Sequence, residues 1–495
     1  MFAVRINRAQ YEYDIHSLVK AFYPQEQVKV YVTEDGMPED VQNFEISVFF
    51  SELGAEVSFA SGETFLFSQK NVSDTENLPD GGKENQGARK NAFKAFFYQA
   101  LSDHTGKKLP WGNLTGIRPA KIAMGMLEDG RTEEEIGTFL REAHFLSDAK
   151  ADLCLEIAKR EKKLLSTINY RDGYSLYIGI PFCPTTCLYC SFTSYPICSF
   201  KNKTDHYVDC LIREMEFVSG ACKDRILDTV YIGGGTPTTL ESHQLDRLIT
   251  AMKELFDFTT VQEFTVEAGR ADSITREKLE VLRRHGVGRI SVNPQTMKDE
   301  TLRIIGRQHT VAQAKEAYAL AREMGFSNIN MDLILGLPGE SVEDVKHTMQ
   351  EVEALAPDSL TIHSLAIKRA SRLNQWIEEN GVETLKNTDE TMEIASESAR
   401  KMGMQPYYLY RQKNMAGNFE NVGYASEGKY GIYNILIMEE KQTIFALGAG
   451  SISKKVFADG RIERADNIKD VDLYMEKIDE MIERKIRKME EISWH

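Results

Sequence analysis

The chain has 495 residues, of which 42% are hydrophobic and 27% charged, a composition typical of globular proteins and a length that exceeds one ordinary domain. Its formal net charge of −15 argues against general binding to nucleic acid or to a membrane surface, because both are polyanions. No signal-peptide pattern and no run of about 18 apolar residues are present, so we expect a cytoplasmic protein without a membrane span.

The first 170 residues predict a small α+β domain. The segments QVKVYV, NFEISVFF and AEVSFA are typical of strands, the last by its alternation of apolar and polar residues. The polar stretch SDTENLPDGGKENQGAR, residues 73–89, is predicted to be a mobile loop. Helical patterns follow from Arg89 and continue to Ile168.

Residues 171–370 alternate between β-rich runs and helical patterns. Six runs have this character, namely SLYIGI, TVYIGG, EFTVEA, RISVNP, NINMDLIL and SLTIHSL. Strands that alternate with helices indicate βαβ units and a parallel sheet. We therefore predict an α/β fold with a partial (β/α)6 TIM-like barrel, since a full barrel needs eight units. The alternation stops after Leu365, and residues 371–495 form a C-terminal extension with helices around 383–402 and 469–489.

The strongest chemical signal is the motif C-x3-C-x2-C formed by Cys183, Cys187 and Cys190, directly after the first barrel strand. Three thiolates this close can hold one [4Fe–4S] cube and leave the fourth iron open to a small molecule. A zinc site with Cys198 or His206 as fourth ligand is the alternative. The chain has seven cysteines, all between residues 154 and 222, an odd and clustered set that favours reduced thiols over a disulfide framework.

This motif resembles the signature of the radical S-adenosylmethionine (SAM) superfamily. With its context, YIGIPFCPTTCLYCSF followed by YIGGGTPT, it looks like the oxygen-independent coproporphyrinogen III oxidase (coproporphyrinogen dehydrogenase) family. The segment NLTGIRPAKI and the chain length suggest the HemZ-type branch. The resemblance implies an oxidoreductase whose cofactors are a [4Fe–4S] cluster and SAM.

The resemblance also assigns residues. Cys183, Cys187 and Cys190 are the implied metal ligands, and Tyr177 and Arg307 are the implied catalytic residues. Arg307 matches an arginine that pairs with the methionine carboxylate of SAM, a bidentate task that suits guanidinium. The implied cofactor-binding residues are Tyr177, Tyr189, Gly234, Gly235, Thr236, Glu267, Gln295, Arg307, Asp332 and Ala366.

Two positions depart from the pattern of related proteins. The oxidases carry a further cysteine two positions after the third ligand, which contacts a second SAM, and Phe192 stands there in this chain. Related haem chaperones carry an H-N-x-x-Y-W segment, whereas the corresponding stretch here, Gly417–Tyr424, has no histidine. Among the other histidines, His309 is a candidate for function because it lies beside Arg307, whereas His285 is expected to cap a helix.

The implied reaction is oxidative decarboxylation of coproporphyrinogen III propionates to vinyl groups, giving protoporphyrinogen IX in haem biosynthesis. The implied partners are this tetrapyrrole and an electron donor such as flavodoxin or ferredoxin. Phe192 keeps open another radical SAM reaction on a tetrapyrrole, such as methylation or haem opening. A haem-binding chaperone is the third alternative.

Overall fold

The computed structural model describes residues 2–33, 43–52, 54–68, 83–116, 118–368, 371–412 and 419–490. Part of the predicted loop, residues 73–82, lies outside the described residues, as do Gly417 and Asn418. The chain divides into two compact units. One comprises Met1–Glu156 with Gln412–Asn414, and the other comprises Ile157–Arg411 with Met415–His495.

The N-terminal unit is a five-stranded sheet packed against helices, an α+β arrangement. Its strands lie in the order β2-β1-β3-β4-β5, with β1 parallel to both of its neighbours and the remaining pairs antiparallel. The elements are β1 (Phe2–Ile6), α1 (Glu12–Phe22), β2 (Val28–Val32), β3 (Ile46–Phe50), β4 (Gly54–Phe59), β5 (Thr64–Ser68), α2 (Lys83–Thr105), α3 (Ala120–Glu128) and α4 (Glu133–Glu142). The division between the two units, after Glu156, falls within α5 (Asp148–Leu165). Aromatic side chains such as Phe22, Phe93 and Phe97 fill its core.

The sequence predicted β2, β3 and β4, and the structure confirms them. It did not predict β1, α1 or β5. The predicted loop is wrong for residues 83–89, because α2 begins at Lys83. Lysine, glutamate, glutamine, alanine and arginine are good helix formers, and they extend the apolar helix that follows them in the sequence.

The second unit is built on one open sheet of eleven strands, in the order β14-β15-β13-β12-β11-β10-β9-β6-β16-β17-β18. Its strands are β6 (Gly173–Ile180), β9 (Ile226–Gly234), β10 (Glu263–Glu267), β11 (Arg289–Ser291), β12 (Ile329–Leu335), β13 (Ser359–Ser364), β14 (Gln405–Tyr410), β15 (Asn421–Ala425), β16 (Thr443–Leu447), β17 (Ile452–Val456) and β18 (Ile462–Asp466). A short pair, β7 (Phe182–Cys183) with β8 (Tyr195–Pro196), lies apart from this sheet.

The six predicted strands β6, β9, β10, β11, β12 and β13 are mutually parallel neighbours, which confirms the partial barrel. Their middle residues are almost all buried, as expected for a parallel sheet covered on both faces. The connecting and flanking helices are α6 (Thr204–Ala221), α7 (Ser242–Leu255), α8 (Arg276–Arg284), α9 (Asp299–Ile304), α10 (Val311–Glu323), α11 (Val342–Leu355), α12 (Leu373–Asn380), α13 (Asp389–Lys401), α14 (Ile432–Glu439), α15 (Val471–Glu476) and α16 (Ile478–Glu490).

The C-terminal extension contributes strands to the same sheet. β15 pairs antiparallel with β13 at one side, and β16 pairs parallel with β6 at the other. The parallel strand β16 was not predicted from the sequence. The first barrel strand, which leads into the cysteine motif, is therefore an interior strand between β9 and β16. No helix among the described residues is long and apolar enough to cross a membrane.

Candidate functional site

The predicted site residues lie at or near the carboxyl ends of successive parallel strands. Gly234 is the last residue of β9, Glu267 is the last residue of β10, and Asp332 lies within β12. Ala366 lies two residues beyond β13. The carboxyl ends of parallel strands meet at one edge of the sheet, where α/β proteins bind their ligands.

The cysteine loop, residues 183–190, is held by hydrogen bonds along its length. The Leu188 N–H donates to the Ile305 carbonyl at 2.9 Å, and the Arg372 guanidinium donates to the Thr186 carbonyl at 2.5 Å. The Thr236 hydroxyl lies 3.5 Å from the Cys183 sulfur. These contacts fix the loop against the segment after α9 and against the end of β9.

The three motif thiols lie within electrostatic range of one another. Burial raises the pKa of Cys183 to about 11, and the neighbouring Cys190 and Cys187 add to the increase. Burial likewise raises the pKa of Cys190. Burial disfavours the charged thiolate at both positions, so these thiols must lose their protons when a metal binds.

The glycine segment after β9 fits closely against the first barrel strand. The Gly235 N–H donates to the Ile180 carbonyl at 2.8 Å, and the Thr236 N–H donates to the Phe182 carbonyl at 2.7 Å. A Cβ on Gly235 would lie 2.6 Å from the Phe182 oxygen, so only glycine fits there. Since these N–H groups are occupied, carbonyl oxygens are what the segment can offer to a ligand.

Glu267 is a buried carboxyl with an altered acidity. Burial raises its pKa to about 7, the nearby Asp332 adds to the increase, and hydrogen bonds from Tyr231 and the Gly234 N–H oppose it. The Tyr231 hydroxyl donates to Glu267 Oε1 at 2.5 Å. The carboxyl can therefore change its protonation state near neutral pH.

Gln295 and Asp332 are joined through the backbone. The Gln295 N–H donates to the Asp332 carbonyl at 3.0 Å, and the Ile334 N–H donates to the Gln295 carbonyl at 3.0 Å. Gln295 adopts a φ of 69°, a left-handed conformation that costs energy in a residue other than glycine. The two bonds hold this conformation and keep Gln295 beside β12.

Arg307 connects this edge of the sheet to the cysteine loop. Its Nη1 donates to the Asn293 carbonyl at 2.6 Å, and the Asn293 side chain accepts from the Asp332 N–H at 3.2 Å. Burial acts to lower the pKa of Arg307, but Tyr189 and Cys187 raise it above its usual value through charge and hydrogen bonding. The structure thus brings Arg307, Tyr189 and Cys187 together.

Tyr177 belongs to a stack of three tyrosines. Its ring centroid lies 6.2 Å from that of Tyr231 and 6.1 Å from that of Tyr433, and the Tyr231 and Tyr433 centroids are 4.5 Å apart. Tyr433 comes from α14 of the C-terminal extension. Tyr177 therefore packs beside the tyrosine that hydrogen-bonds Glu267.

The buried atoms of this site fit the two cofactors that the motif implies. The Arg307 Nε is buried without a hydrogen-bond partner in the structure, and the whole residue is only 7% exposed, so water does not readily replace the missing partner. An unsatisfied guanidinium N–H is costly and suits a carboxylate such as that of SAM. Among the described residues, no three His, Cys, Asp or Glu side chains are grouped around one ion position. In a cubane the three thiolates bind three different irons.

Sequence reasoning missed a buried group that contacts the cysteine loop. Arg270, which follows β10, donates from Nη1 to both the carbonyl and the hydroxyl of Thr185, each at 2.8 Å. Asp272 and His309 lie beside it. The signal was available, because Arg270 follows a strand end by three residues, as ligand-binding residues often do.

His309, the histidine singled out from the sequence, has a fully buried side chain. Its Nδ1 lies 3.7 Å from Asp272 Oδ1, which is too long for a hydrogen bond. Burial lowers the pKa of His309, and Asp272 opposes that change. His285, by contrast, caps the C-terminus of α8, as the sequence predicted.

Comparison with known proteins agrees with this geometry. Residues 177–352 match the radical SAM superfamily. The chain is 42% identical, over 81% of each chain, to the oxygen-independent coproporphyrinogen-III oxidase-like protein HemZ of Bacillus subtilis. It is 36% identical to the heme chaperone HemW of the same organism, over 39% of this chain and 51% of that protein. The solved coproporphyrinogen III oxidase HemN of Escherichia coli shares the fold, with a TM-score of 0.50 and 24% identity over 65% of this chain and 72% of that one.

The partial barrel and the cysteine motif define a radical SAM protein, a class whose cofactors are a [4Fe–4S] cluster and SAM. Within that class, the chain belongs to the family of oxygen-independent coproporphyrinogen-III oxidase-like proteins, in the branch of HemZ.

Proposed function

We propose that the chain acts on a tetrapyrrole and carries out the oxygen-independent oxidative decarboxylation of coproporphyrinogen III. The observation that carries this proposal is the 42% identity to the coproporphyrinogen-III oxidase-like protein HemZ over 81% of both chains. We place the reaction in the cytoplasm, with flavodoxin or ferredoxin as electron donor. The seven cysteines are free thiols, which suits a reducing compartment.

In this proposal, Cys183, Cys187 and Cys190 hold the cluster. When bound, the cluster and SAM supply a 5′-deoxyadenosyl radical that abstracts hydrogen. A substrate propionate would then lose one hydrogen atom to this radical, release CO2 and pass one electron to a one-electron acceptor, which leaves a vinyl group. A second round on the other propionate gives protoporphyrinogen IX.

The other site residues bind and orient SAM. The unsatisfied Nε of Arg307 binds the methionine carboxylate. The carbonyl oxygens of Gly234 and Gly235 accept hydrogen bonds from its ammonium group, because the N–H groups of Gly235 and Thr236 already donate to β6 and β7 and the Thr236 carbonyl already accepts from Thr239. Asp332 and Ala366 contact the ribose and the adenine side.

The tyrosine stack keeps water away from the reacting groups. Tyr433 is 4% exposed, and it covers Tyr231 at a centroid distance of 4.5 Å. Tyr231 in turn donates to Glu267, whose pKa of about 7 reflects the dry surroundings. Exclusion of water protects a reactive intermediate from side reactions.

Haem carriage is a second candidate function. The match to HemW supports it, since that relative is a heme chaperone. The stretch 417–424, which lacks the histidine of the related haem chaperones, counts against it. A different radical reaction on the tetrapyrrole is compatible with Phe192, which stands where the oxidases have a cysteine and is 75% exposed beside the cysteine loop.

The test is an anaerobic assay of the reconstituted full-length chain with coproporphyrinogen III, SAM and reduced flavodoxin. We expect 5′-deoxyadenosine together with vinyl-containing products by mass spectrometry. Cys187→Ser should form neither product, whereas Cys198→Ser, which removes an exposed thiol of the same region, should form both.

Two other outcomes of this assay would contradict the proposal, and each would indicate a different function. Deoxyadenosine with a methylated or ring-opened tetrapyrrole would indicate a different radical reaction. Stable haem binding without substrate-dependent SAM cleavage would indicate a carrier.

A further inference from the structure

The midpoint of the cysteine loop is held by a buried arginine. Thr185 lies two residues after Cys183 and two before Cys187, and Arg270 donates to its carbonyl and to its hydroxyl, each at 2.8 Å. The Thr185 hydroxyl also donates to the Gly306 carbonyl at 2.8 Å. Thr185 thus ties the loop to two separate segments of the barrel edge.

The guanidinium itself is fixed from the opposite side by Asp272. Arg270 Nε donates to Oδ1 at 3.0 Å, and Nη2 donates to Oδ2 at 2.7 Å, a bidentate pair. Burial opposes ionisation of Asp272, but the nearby His309 and the charge and hydrogen bonds of Arg270 hold its pKa well below the usual range. Arg270 is only 3% exposed, so this geometry is sheltered from water.

An arginine is needed for this arrangement. Its planar fork can face a carboxylate with two N–H groups and reach a third partner with another nitrogen. A lysine has one charged nitrogen and cannot make both contacts with the same geometry. The paired charges of Arg270 and Asp272 also compensate each other, so the buried pair does not leave an isolated charge under the loop.

We propose that Arg270 is a positioning residue for the iron–sulfur cluster. Oriented by Asp272, its guanidinium holds Thr185 so that the thiols on either side are arranged for the cluster before the metal arrives. A loop that is already ordered loses less conformational entropy on binding, which strengthens cluster retention. This inference rests on the proposed role of the cysteine loop as the cluster site.

The experiment compares Arg270→Gln and Arg270→Lys with the unmodified full-length chain. In the cluster-free protein, hydrogen–deuterium exchange across residues 183–190 should become at least about tenfold faster in both variants, because charge-assisted hydrogen bonds to the loop are lost. After anaerobic reconstitution, iron release to a chelator should accelerate by a similar factor. Exchange in β12, which does not contact Arg270, should not change.

Two controls separate positioning from general stability. Arg276→Gln removes an exposed arginine from the same connection, one that pairs with Glu323, and should leave exchange and iron release unchanged. Thr185→Ser keeps the hydroxyl and should retain iron like the unmodified chain, whereas Thr185→Ala should lose it faster. A purely structural role for Arg270 predicts faster exchange throughout the barrel rather than in the loop.

The inference is overturned if Arg270→Gln retains iron and protects residues 183–190 as well as the unmodified chain does. Uniformly faster exchange would also overturn it. An unmodified chain that binds no iron would instead reject the proposed cluster site, so the two failures are distinguishable.

Discussion

Two buried polar networks in the second unit differ in how completely their groups are satisfied. Around Glu214 of α6, the buried carboxylate accepts from Lys485, Asn467, Tyr474 and the Gly448 N–H. At the barrel edge, by contrast, Arg307 keeps an Nε without a partner in the structure. A buried polar group without a partner is costly, so we propose that the second network serves ligand binding and the first serves stability.

The contrast extends to acidity at the barrel edge. Glu267 is displaced to a pKa of about 7 because burial and the neighbouring Asp332 outweigh the hydrogen bonds that it accepts. Perturbed acidity of this kind clusters at functional sites.

The largest expected effect is loss of the cluster. Cys187→Ser should reduce iron and acid-labile sulfide after anaerobic reconstitution to background and remove the visible iron–sulfur absorption, because one cluster corner loses its thiolate. Cys198→Ser is the matched control and should retain full iron content. One zinc per chain with no iron in the unmodified protein would contradict the cluster assignment.

Breaking the hydrogen-bond network around Glu214 should lower the free energy of unfolding more than the other substitutions. Lys485→Met leaves the Glu214 carboxylate buried without its cation, and we expect the free energy of unfolding to fall by about 3–5 kcal/mol. Urea denaturation measures this change. Lys488→Met, an exposed substitution on the same helix, should change it by less than about 0.5 kcal/mol. Equal effects of the two variants would show that the network is not a stability element.

Breaking the network around Arg307 at the barrel edge should weaken SAM binding rather than stability. Arg307→Ala should raise the SAM dissociation constant by about 10- to 100-fold, as expected for loss of charged hydrogen bonds, while iron content persists. Isothermal titration of the reconstituted protein measures the first and iron analysis the second. The exposed Arg303→Ala is the control. Parallel loss of iron and SAM binding would overturn the separate role of Arg307.

A further effect concerns the pH dependence of stability. Because folding raises the pKa of Glu267 from 4.5 to about 7, the native state binds more protons than the unfolded state across this interval. Its contribution to stability is complete below pH 4.5 and is lost as pH rises to about 7, by up to about 3 kcal/mol. Glu267→Gln should flatten this part of the stability profile of the cofactor-free protein.

A companion variant sharpens the pH experiment. Tyr231→Phe removes the hydrogen bond that favours the charged form of Glu267, so the loss of stability should extend to higher pH. Identical profiles for the unmodified chain and both variants would show that Glu267 does not titrate in this interval.

The sequence predicted the parts of the barrel whose patterns are local. The apolar runs that became β6, β9 and β12 are buried on both faces, and such runs are recognisable without tertiary information. β16 was missed because its parallel pairing with β6 joins segments far apart in the chain. The helical start of α2 at Lys83 was missed because its polar composition resembles that of a loop.

The candidate site was likewise predicted from the sequence only in part. The family resemblance carried by the cysteine motif pointed to residues that the structure brings to one edge, such as Glu267 and Arg307. The contact between Arg270 and Thr185 could not be predicted, since it depends on how the connection after β10 folds under the cysteine loop. The left-handed conformation of Gln295 was also invisible, because only its bonds to β12 hold it there.

The parallel pairing of β16 with β6 has a consequence for how the protein matures. β6 leads directly into the cysteine loop, yet its second neighbour in the sheet is Thr443–Leu447, which the ribosome makes long after β6 and the cysteine loop. Pairing of such distant segments is slow to form. β6 therefore gains its second neighbour only after the intervening chain has been made, and chains that terminate before β16 leave one flank of β6 without its partner.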